Sequence, residues 1–352
     1  MDAPDTTGTA TPTGPAPGVH RHPAPTLEEV AAHAGVSRST ASRAINGGLR
    51  VSAPAQAAVD AAIAELGYVP NRAARSLVTR RTDSIALVVP EPDERVLSDP
   101  YFAGTLNGLS AALTGTDFQL VLLIARPGDN SRTVRYLHSG HVDGAIVVSH
   151  HRSDTIDREL ALTGLPNVFV GRPLNMSDGM HFVDVDNVLG GRLATEHLVS
   201  LGRRRIGTIA GPLDMSAGQD RLTGWREVLS EAGLADDACI EGDFTVAGGA
   251  AAITELLETY PDVDAVFIAS DLMAQGAMSV LRAKGLEVPR DIAVVGYDNL
   301  GVVTTPPLTT VTNPVVTMTR AAGHLLLDQI AGRAVTEEGS LFAPELVVRE
   351  SA

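Results

Sequence analysis

Two short helices joined by one glycine form the pattern that most constrains this chain, and the first of them begins at Thr26. Thr26 stands three residues before Glu29, the spacing of a capping box, in which each side chain bonds the backbone amide of the other residue. Gly35 supplies the left-handed conformation that commonly ends a helix. Ser37 follows two residues later and is suited to cap a second helix. The sequence therefore predicts a helix, a tight turn and another helix.

A third predicted helix is capped by Ser52 and stopped by Gly67, and it completes a small core. Apolar residues recur at helical spacing in all three segments. The residues expected to face inward are Leu27, Val30, Ala31, Ala34, Val36, Ala41, Ala44, Ile45, Val59, Ala62, Ile63 and Leu66. The outer face of the second helix is left polar and basic, with Arg38, Ser39, Ser42 and Arg43.

This arrangement predicts a helix-turn-helix unit that binds DNA. Such a unit places its second helix in the major groove, with the N-terminal residues at the base edges. Arg38 and Ser39 stand at that end, and an arginine is well matched to O6 and N7 of guanine. The alternative is a three-helix bundle whose polar face is only solvated. The tight turn combined with outward arginines on the second helix favours DNA binding.

The net charge of −15 at pH 7 argues at first against a nucleic-acid partner. Between Thr26 and Arg81, however, seven arginines stand against four acidic residues, so a basic front precedes an acidic body. Because phosphate repels an acidic body, we expect DNA contact only at the front. Residues 1–25 are rich in Pro, Thr, Ala and Gly and lack the apolar core of a secretory signal, so we expect a disordered tail.

The front of the chain resembles the DNA-binding domain of the LacI/GalR repressor family. The resemblance lies in the run TLEEVAAHAGVSRSTASRAIN from Thr26, the pair Val51-Ser52, and the run LGYVPNRAARSL from Leu66, which covers the family's hinge. It implies DNA contacts at Thr26, Ser37, Arg38, Ser39, Thr40, Ser42, Arg43, Asn46, Ser52, Tyr68, Asn71, Arg72, Ala74 and Leu77.

Two places depart from the pattern of that family. Ala41 stands where the family usually has valine, which thins the packing of the second helix. Ala55-Gln56 stands where the family usually has Thr-Arg after the Val-Ser pair. One phosphate contact of the family is therefore not carried over to this chain.

The hinge is expected to be a short helix from Arg72 to about Val78, capped by Asn71. Because a helix of this length is marginal in water, it should form only with DNA and a partner chain. The resemblance implies that the hinge pairs across a dimer and that Leu77 wedges into the minor groove, unstacking a base step. The alternative is that Leu77 is core at a domain junction.

From Ser84 onward, short apolar runs alternate with helical stretches, the pattern of parallel sheets covered by helices. The predicted strands are 85–89, 120–124, 145–148, 168–170, 206–210, 265–269 and 292–295, and the predicted helices include 193–201 and 247–258. The predicted fold class is an N-terminal all-α helix-turn-helix domain followed by a two-lobed α/β effector domain. By the segments VDGAIV, GRRRI and DIAVVGYD, this body resembles the type I periplasmic-binding-protein fold of the LacI family's effector domain.

Four regions are expected along the chain. They are a tail over residues 1–25, a DNA-binding domain over 26–70, a hinge helix and linker over 71–82, and an effector and dimerisation domain over 83–352. Within the effector domain, one lobe should comprise 83–184 with 314–345, and the other 185–313.

An effector site is expected beyond the carboxyl ends of the body strands, where open α/β sheets bind ligands. A sugar needs planar charged groups that bond adjacent hydroxyls, together with an aromatic face for its C–H surface. The candidates are Phe102, Arg172, Arg221, Trp225, Ser270, Asp271 and Asp298. The resemblance implies that Arg221 and Asp298 hold the effector. The alternatives are that the aspartates at strand ends cap the next helix and that Trp225 is core.

The predicted function is a DNA-binding regulator that represses carbohydrate-utilisation genes and is released from a palindromic operator by a sugar. Segments 78–83, 171–174, 185–187 and 210–215 are similar to the cellobiose-responsive, CelR/CebR-like branch of the family, so cellobiose or a cello-oligosaccharide is the expected effector. Another plant-derived oligosaccharide is the alternative. A corepressor that strengthens DNA binding, including a non-sugar one, would use the same parts.

Two other classes of protein remain as alternatives: a sugar-binding protein of the same body fold with no regulatory role, and a sugar-metabolising enzyme. The sequence has no Walker A motif, dinucleotide fingerprint or HExxH zinc motif, so neither enzymatic activity nor a cofactor or metal is expected. The expected partners are operator DNA, the sugar and a second copy of the chain, and no membrane. The single cysteine, Cys239, suits a cytoplasmic protein.

Overall fold

The computed structural model describes residues 25–45, 51–69, 81–125, 130–177, 179–335 and 338–352. The chain forms two compact units, Met1–Arg80 and Arg81–Ala352. Asn46 and the predicted hinge residues Asn71, Arg72, Ala74 and Leu77 lie outside the described residues.

The first unit contains the three predicted helices, α1 (Leu27–His33), α2 (Arg38–Ile45) and α3 (Ala53–Leu66). The capping box at Thr26 is confirmed: the Glu29 amide donates to Thr26 Oγ1 over 3.3 Å, and the Thr26 amide donates to Glu29 Oε2 over 2.7 Å. These two bonds satisfy donors that the start of a helix otherwise leaves without partners.

The turn after α1 and the end of α3 both use glycines with positive φ. Gly35 has φ +65° and Gly67 has φ +62°, so each takes the left-handed conformation that its position was predicted to need. The predicted core of the three helices is confirmed. Its fully buried members are Val30, Ala31, Ala41, Ala44, Val59 and Ala62, and partly buried Leu27, Ala34, Val36, Ile45, Ile63 and Leu66 pack around them.

In the second unit, the first lobe is built on a six-stranded, all-parallel sheet of order β11-β5-β4-β3-β1-β2. The strands are β1 (Ser84–Val89), β2 (Gln119–Ile124), β3 (Gly144–Val148), β4 (Asn167–Val170), β5 (Phe182–Val185) and β11 (Gly339–Phe342). The helices that connect β1 to β4 are α4 (Asp93–Ser98), α5 (Pro100–Leu113), α6 (Ser131–His138) and α7 (Ile156–Thr163). A later helix, α12 (Val315–Ile330), packs against α5 and the sheet.

The second lobe has a six-stranded sheet of order β12-β10-β9-β8-β6-β7, parallel except for the pair β10–β12. Its strands are β6 (Ile206–Ala210), β7 (Cys239–Glu241), β8 (Ala265–Ile268), β9 (Ala293–Asp298), β10 (Thr309–Thr312) and β12 (Leu346–Val347). Its helices are α8 (Asn187–Ser200), α9 (Ser216–Ala232), α10 (Val246–Thr259) and α11 (Asp271–Ala283).

The chain crosses between the two sheets three times: after β5, after β10 and after β11. These crossings are bonded to one another. The Asp186 amide donates to the Phe342 carbonyl over 2.8 Å, and the Thr312 amide donates to the Glu345 carbonyl over 2.7 Å. The predicted two-lobed α/β class is confirmed, and the hydrogen bonds hold the crossings beside one another.

Hydrophobic cores lie on both faces of each sheet. On the first sheet, Ile85, Leu87 and Val89 face one core while Ala86 and Val88 face the other. Strands buried on both faces read as continuous apolar runs, which is why their positions could be predicted. Among the described residues, no helix combines the length and apolar character that a membrane crossing requires.

Candidate functional site

A pocket lies between the two lobes of the second unit. It is lined by residues that follow strands of both sheets, including His150 after β3, Gly171 after β4 and Ser270 after β8. This is the position at which open α/β sheets bind ligands.

Arg221, on α9, is the best-anchored charged group in the pocket and is only 4% exposed. Its Nε donates to Asn187 Oδ1 over 2.9 Å, and its Nη1 donates to the Ala269 carbonyl over 2.6 Å. Its Nη2 lies 3.7 Å from Asp298 Oδ1. The guanidinium carbon is 3.6 Å from the centroid of the Tyr297 ring, a cation–π contact. The structure therefore brings predicted Arg221 and Asp298 together.

Asp298 ends β9 with φ +110°, a backbone conformation that L residues rarely adopt. Its Oδ1 accepts a bond from Asn313 Nδ2 over 3.2 Å. Burial raises the pKa of Asp298 to about 6, although Arg221 opposes the shift. A strained residue held in a ligand pocket is a feature that functional sites commonly show.

Ser270 and Asp271 also line the pocket, at the start of α11. Ser270 caps that helix, because its Oγ accepts from the Met273 amide over 3.2 Å. Asp271 Oδ1 accepts from the Thr310 hydroxyl over 2.6 Å. Burial, together with the charge of Asp298, raises the pKa of Asp271 to about 7. Ser270 is therefore the residue that caps α11, and the capping alternative offered for the aspartates does not hold for Asp271, which bonds across to β10.

Three of the predicted effector residues do not line the pocket. Phe102 is 2% exposed because its turn of α5 faces the core of the first lobe, and the preceding Tyr101 lines the pocket instead. Trp225 is fully buried among the apolar residues of the second lobe, which agrees with the alternative that Trp225 is a core residue. Arg172 turns away to Asp220 on α9, with Nη2 2.6 Å from Oδ2.

Asp184 and Asn187 line the pocket and were not predicted as site residues. Asp184 is 5% exposed, and its carboxylate accepts from the amides of Arg172 and Val185 and from Asn187 Nδ2, over 2.8–3.1 Å. Burial raises its pKa to about 6. The sequence analysis used the segment Val185-Asp-Asn187 only as a motif of the family, and its residue types alone did not indicate a binding site.

Other lining residues outside the prediction include Arg95, Asp99, Tyr101, Ser149, His150, Phe244 and Asn313. Burial lowers the pKa of His150 to about 4, so its imidazole is neutral at pH 7. Tyr101 and Phe244 supply the aromatic surface predicted from Phe102 and Trp225.

The charges that line the pocket are mostly acidic: four carboxyls, from Asp99, Asp184, Asp271 and Asp298, and two guanidiniums, from Arg95 and Arg221. Arg95 already pairs with Glu91 over 2.8 Å, and Arg221 is fixed by the contacts given above. Such a lining can bond hydroxyl groups through acceptors and repels an anionic ligand. Groups of three or more His, Cys, Asp or Glu arranged to hold a metal are absent from the part of the chain that the structure describes.

In the first unit, the predicted DNA-reading residues lie on α2 and at its start. Ser37 Oγ accepts from the Thr40 amide over 3.1 Å and lies 2.9 Å from the hydroxyls of both Ser39 and Thr40. Arg43 is exposed, and its Nε donates to the Ser39 carbonyl over 3.2 Å. A short polar network therefore orders the N-terminal turn of the helix.

Arg38, at the first position of α2, is 71% exposed and pairs with Glu28 of α1, with Nε 2.5 Å from Oε1. Tyr68 is partly buried and packs against the core of the first unit. Gln56, at the place where the family has arginine, is held within the unit. Its Nε2 donates to the Ala44 carbonyl over 3.4 Å and to Asp60 over 2.9 Å.

The comparisons with known proteins agree with both units. Residues 26–71 match the model of bacterial regulatory proteins of the lacI family, and residues 195–352 match that of the periplasmic binding protein-like domain. The chain is 49% identical to the HTH-type transcriptional regulator CelR of Thermobifida fusca, over 95% of this chain and 100% of that protein. The chain belongs to the LacI family of bacterial regulators.

Other relatives support the same assignment. The chain is 34% identical to the ribose operon repressor of Escherichia coli, over 93% of this chain and 99% of that protein. A CelR–cellobiose complex has a TM-score of 0.75 at 47% identity, covering 93% of this chain and 100% of that one. The lac repressor dimer bound to operator and an anti-inducer has a TM-score of 0.81 at 30% identity, covering 93% and 98%. The chain is thus a DNA-binding transcriptional regulator of a non-enzymatic family.

Proposed function

We propose that this LacI-family member is a homodimeric repressor that occupies a pseudo-palindromic operator and releases it when a neutral oligosaccharide binds between its lobes. Cellobiose or a short cello-oligosaccharide is the effector we propose. The support is the 49% identity to CelR of Thermobifida fusca and the 47% identity to the protein in a solved CelR–cellobiose complex. The observation that carries the proposal is the pairing of Arg221 with Asp298 at 3.7 Å inside the pocket between the lobes.

The chemistry of the pocket favours an uncharged, hydroxyl-rich ligand. Carboxylates are strong acceptors for sugar hydroxyls, and Arg221 is planar and held so that it presents a fixed set of donors. Tyr101 and Phe244 offer rings for the C–H face of a pyranose. Because acidic groups outnumber basic ones, a sugar phosphate or a sugar acid should be disfavoured.

On the DNA side, we propose that the N-terminal turn of α2 reads base edges through Arg38 and Ser39, and that Arg43 and its neighbours hold the duplex. The exposure of Arg38 and Arg43 on one helix supports this role. Two copies would present two such helices, as palindromic half-sites require. A regulator that binds chromosomal DNA acts in the cytoplasm of a bacterium, and we infer that location here.

We propose that the hinge over residues 71–82 transmits the response. Sugar binding changes how the lobes close, this separates paired hinge helices, and operator affinity falls by an allosteric coupling of about 1–3 kcal/mol. Leu77 is the proposed wedge. Leu77→Ala should weaken specific binding more than non-specific binding, and equal loss in both would reject the wedge.

A thermal-shift screen tests the effector, because a ligand of the native state raises the melting temperature. The panel pairs neutral with anionic forms of similar size: cellobiose with cellobionic acid, glucose with glucose 6-phosphate, and maltose as an isomer of cellobiose. We expect cellobiose to shift the midpoint and the anionic forms to leave it in place. A shift by an anionic sugar and none by a neutral one would overturn the proposal.

A measurement of operator release decides whether the effector is an inducer or a corepressor. The operator is first selected from a random duplex library by the purified full chain. Cellobiose should then dissociate the complex, whereas an increase in DNA affinity would show a corepressor in place of an inducer.

A further inference from the structure

A cluster of three ionisable side chains connects the two lobes beside the pocket. Glu91 follows β1, His151 follows β3, and Asp214 follows β6 in the second lobe. His151 Nε2 lies 3.2 Å from Glu91 Oε1, and His151 Nδ1 lies 2.9 Å from both oxygens of Asp214. The imidazole therefore stands between a carboxylate of its own lobe and a carboxylate of the other.

The contact at Asp214 also involves the backbone. The amide of Arg152 donates to the Asp214 carbonyl over 2.8 Å, so adjacent residues of the first lobe bond both the side chain and the main chain of Asp214. Other contacts between described residues also join the lobes, among them Arg172 with Asp220 and the Arg95 guanidinium 5.7 Å from the Phe244 ring centroid. The cluster thus belongs to the set of contacts that holds the lobes in the described arrangement.

The cluster lies beside the pocket, although His151 itself does not line the pocket. Glu91 is 3% exposed, and its Oε1 also accepts from Ser149 Oγ over 2.6 Å and from Arg95 Nη1 over 2.8 Å. Ser149 and Arg95 both line the pocket, as do Met215 and Ser216, which directly follow Asp214. A movement of the cluster would therefore move pocket walls in both lobes.

The geometry requires a particular protonation state. A neutral imidazole donates from only one nitrogen, whereas here each nitrogen faces a carboxylate. Only the imidazolium can donate to both. The hydrogen bonds that His151 donates to Glu91 and Asp214 raise the pKa of His151 to about 9, against the opposing effect of burial.

Several charged groups face His151 from the elements packed around it. Glu91 comes from the end of β1, Arg95 from α4, Asp154 from the loop that carries His151, and Asp214 from the second lobe. Asp154 Oδ2 accepts from the backbone amide of His151 over 2.7 Å, which fixes the loop. Of the carboxylates that contact the His151 ring, only Asp214 belongs to the opposite lobe, so only its contact depends on how the lobes sit.

We propose that protonated His151 is a latch that joins the two lobes through Asp214 and thereby raises the affinity of the adjoining pocket for its effector. The proposal rests on the proposed sugar-binding function. His151 is a positioning residue, since it acts through the arrangement of the lobes and does not line the pocket.

The direction of the pH dependence follows from the two partners of His151. When the lobes open, Glu91 remains beside His151 but Asp214 leaves, so the pKa in the open form lies below the value of about 9. The latch is fully formed below the open-form pKa and is lost as pH rises through about 9. Each unit of difference between the two forms makes the closed form about tenfold more favoured at low pH.

The first experiment measures the affinity of the full chain for cellobiose by calorimetry between pH 7 and pH 10. We expect the wild-type affinity to fall about tenfold across this range if the open and closed pKa values differ by one unit. His151→Gln and Asp214→Asn should bind weakly at pH 7 and lose the pH dependence. His138→Gln is the matched control, because His138 pairs with Glu159 at 3.6 Å within the first lobe alone. Its profile should follow the wild type.

The second experiment needs no sugar. Hydrogen exchange at pH 7, followed by mass spectrometry on the peptide around Arg152, reports whether its amide still meets the Asp214 carbonyl. Both latch variants should exchange several-fold faster there, although Asp214→Asn keeps that carbonyl, and the control should match the wild type. Asp214 is about half exposed, so its variant should fold even if His151→Gln does not.

The outcomes separate the latch from the function on which it rests. Unchanged exchange at Arg152 in both latch variants overturns the latch, as does a wild-type affinity that is constant from pH 7 to pH 10. A wild-type chain that binds no cellobiose rejects the proposed effector, and the exchange data then decide the latch alone.

Discussion

Arg221 lies with its guanidinium carbon 3.6 Å from the centroid of the Tyr297 ring while it bonds the Ala269 carbonyl and the Asn187 side chain. The Tyr297 hydroxyl is buried and lacks a hydrogen-bond partner among the described residues. The ring of Tyr297, and not its hydroxyl, therefore supports the arginine. This relationship lets the two residues be tested separately.

Arg221→Lys should weaken effector binding by about tenfold to a hundredfold, the loss of one charge-assisted hydrogen bond of about 1.5–3 kcal/mol. A lysine keeps the charge but has no planar fork with which to meet Asn187, Ala269 and the ligand together. Calorimetry with the effector measures the change. Tyr297→Phe is the control and should bind within about twofold of the wild type, because the stacked ring is kept. Similar losses in both variants would contradict this division of roles.

Asp298→Asn and Asp298→Ala should both hold the operator and fail to release it when the effector is added, because each lacks the carboxylate beside Arg221. They should differ in stability. At φ +110°, asparagine is better tolerated than alanine, so only the alanine variant should also melt at a lower temperature. Operator release and thermal midpoints give the two readouts. Normal release by Asp298→Asn would remove Asp298 from the proposed site.

Asp271→Asn should change the stability of the effector domain in a pH-dependent way. The pKa of Asp271 is raised in the folded chain to about 7, so folding is favoured at low pH and this contribution is lost as pH rises from the unfolded value, near 3.8, through about 7. The variant has no charge to bury. Its melting temperature relative to the wild type should therefore rise between pH 5 and pH 8, as followed by calorimetry. A constant difference would show that Asp271 does not titrate there.

Close packing of α8 on α9 predicts a stability effect at Gly191. A Cβ built there would lie 2.3 Å from the Arg221 carbonyl oxygen, which is backbone and cannot move aside cheaply. Gly191→Ala should cost about 1–3 kcal/mol in the free energy of unfolding, measured in urea. Gly104→Ala is the control, because its Cβ would meet side-chain carbons of Val315 and Val316 at 3.2–3.9 Å and no backbone atom. Alanine's better helix propensity should leave that variant near neutral.

The fold could be predicted where local signals and burial agree. The capping box at Thr26 and seven of the described strands could be predicted because they depend on short spacings and apolar runs. The prediction omitted β5, β7, β10, β11 and β12, which have two to four residues each and carry too little pattern to be recognised. Their pairing depends on neighbours that are distant in sequence.

The candidate site was harder to predict because a side chain's direction depends on packing. Tyr101 and Phe102 are adjacent aromatic residues, and only the rotation of α5 decides that the first lines the pocket and the second the core. Asp184 and Asn313 were missed because their importance comes from lobe crossings that bring distant segments together. Arg221 and Asp298 were found through family resemblance, and their contact was not derivable from spacing.

On the DNA side, Arg43→Ala should strongly weaken operator binding while leaving effector binding intact. Arg43 stands exposed on α2, one turn beyond the base-reading end, and its Nε donates to Ser39 within its own helix. If the guanidinium contacts phosphate, the slope of log affinity against log salt should decrease by about 0.9. Electrophoretic mobility shifts at several salt concentrations give that slope.

Arg38→Ala separates base reading from backbone contact. The substitution should weaken binding to the selected operator by about 1–3 kcal/mol. On a duplex altered at the base pair that Arg38 contacts, it should weaken binding much less, because the base contact is already missing there. Gln56→Ala is the control for a polar residue of the same unit whose amide is already held by Ala44 and Asp60, so its operator affinity should change little. If Arg38→Ala lost affinity equally on every duplex, Arg38 would contact the DNA backbone, and other residues of α2 would have to read the bases. For the preceding prediction, a loss of effector binding by Arg43→Ala would show that this variant is misfolded.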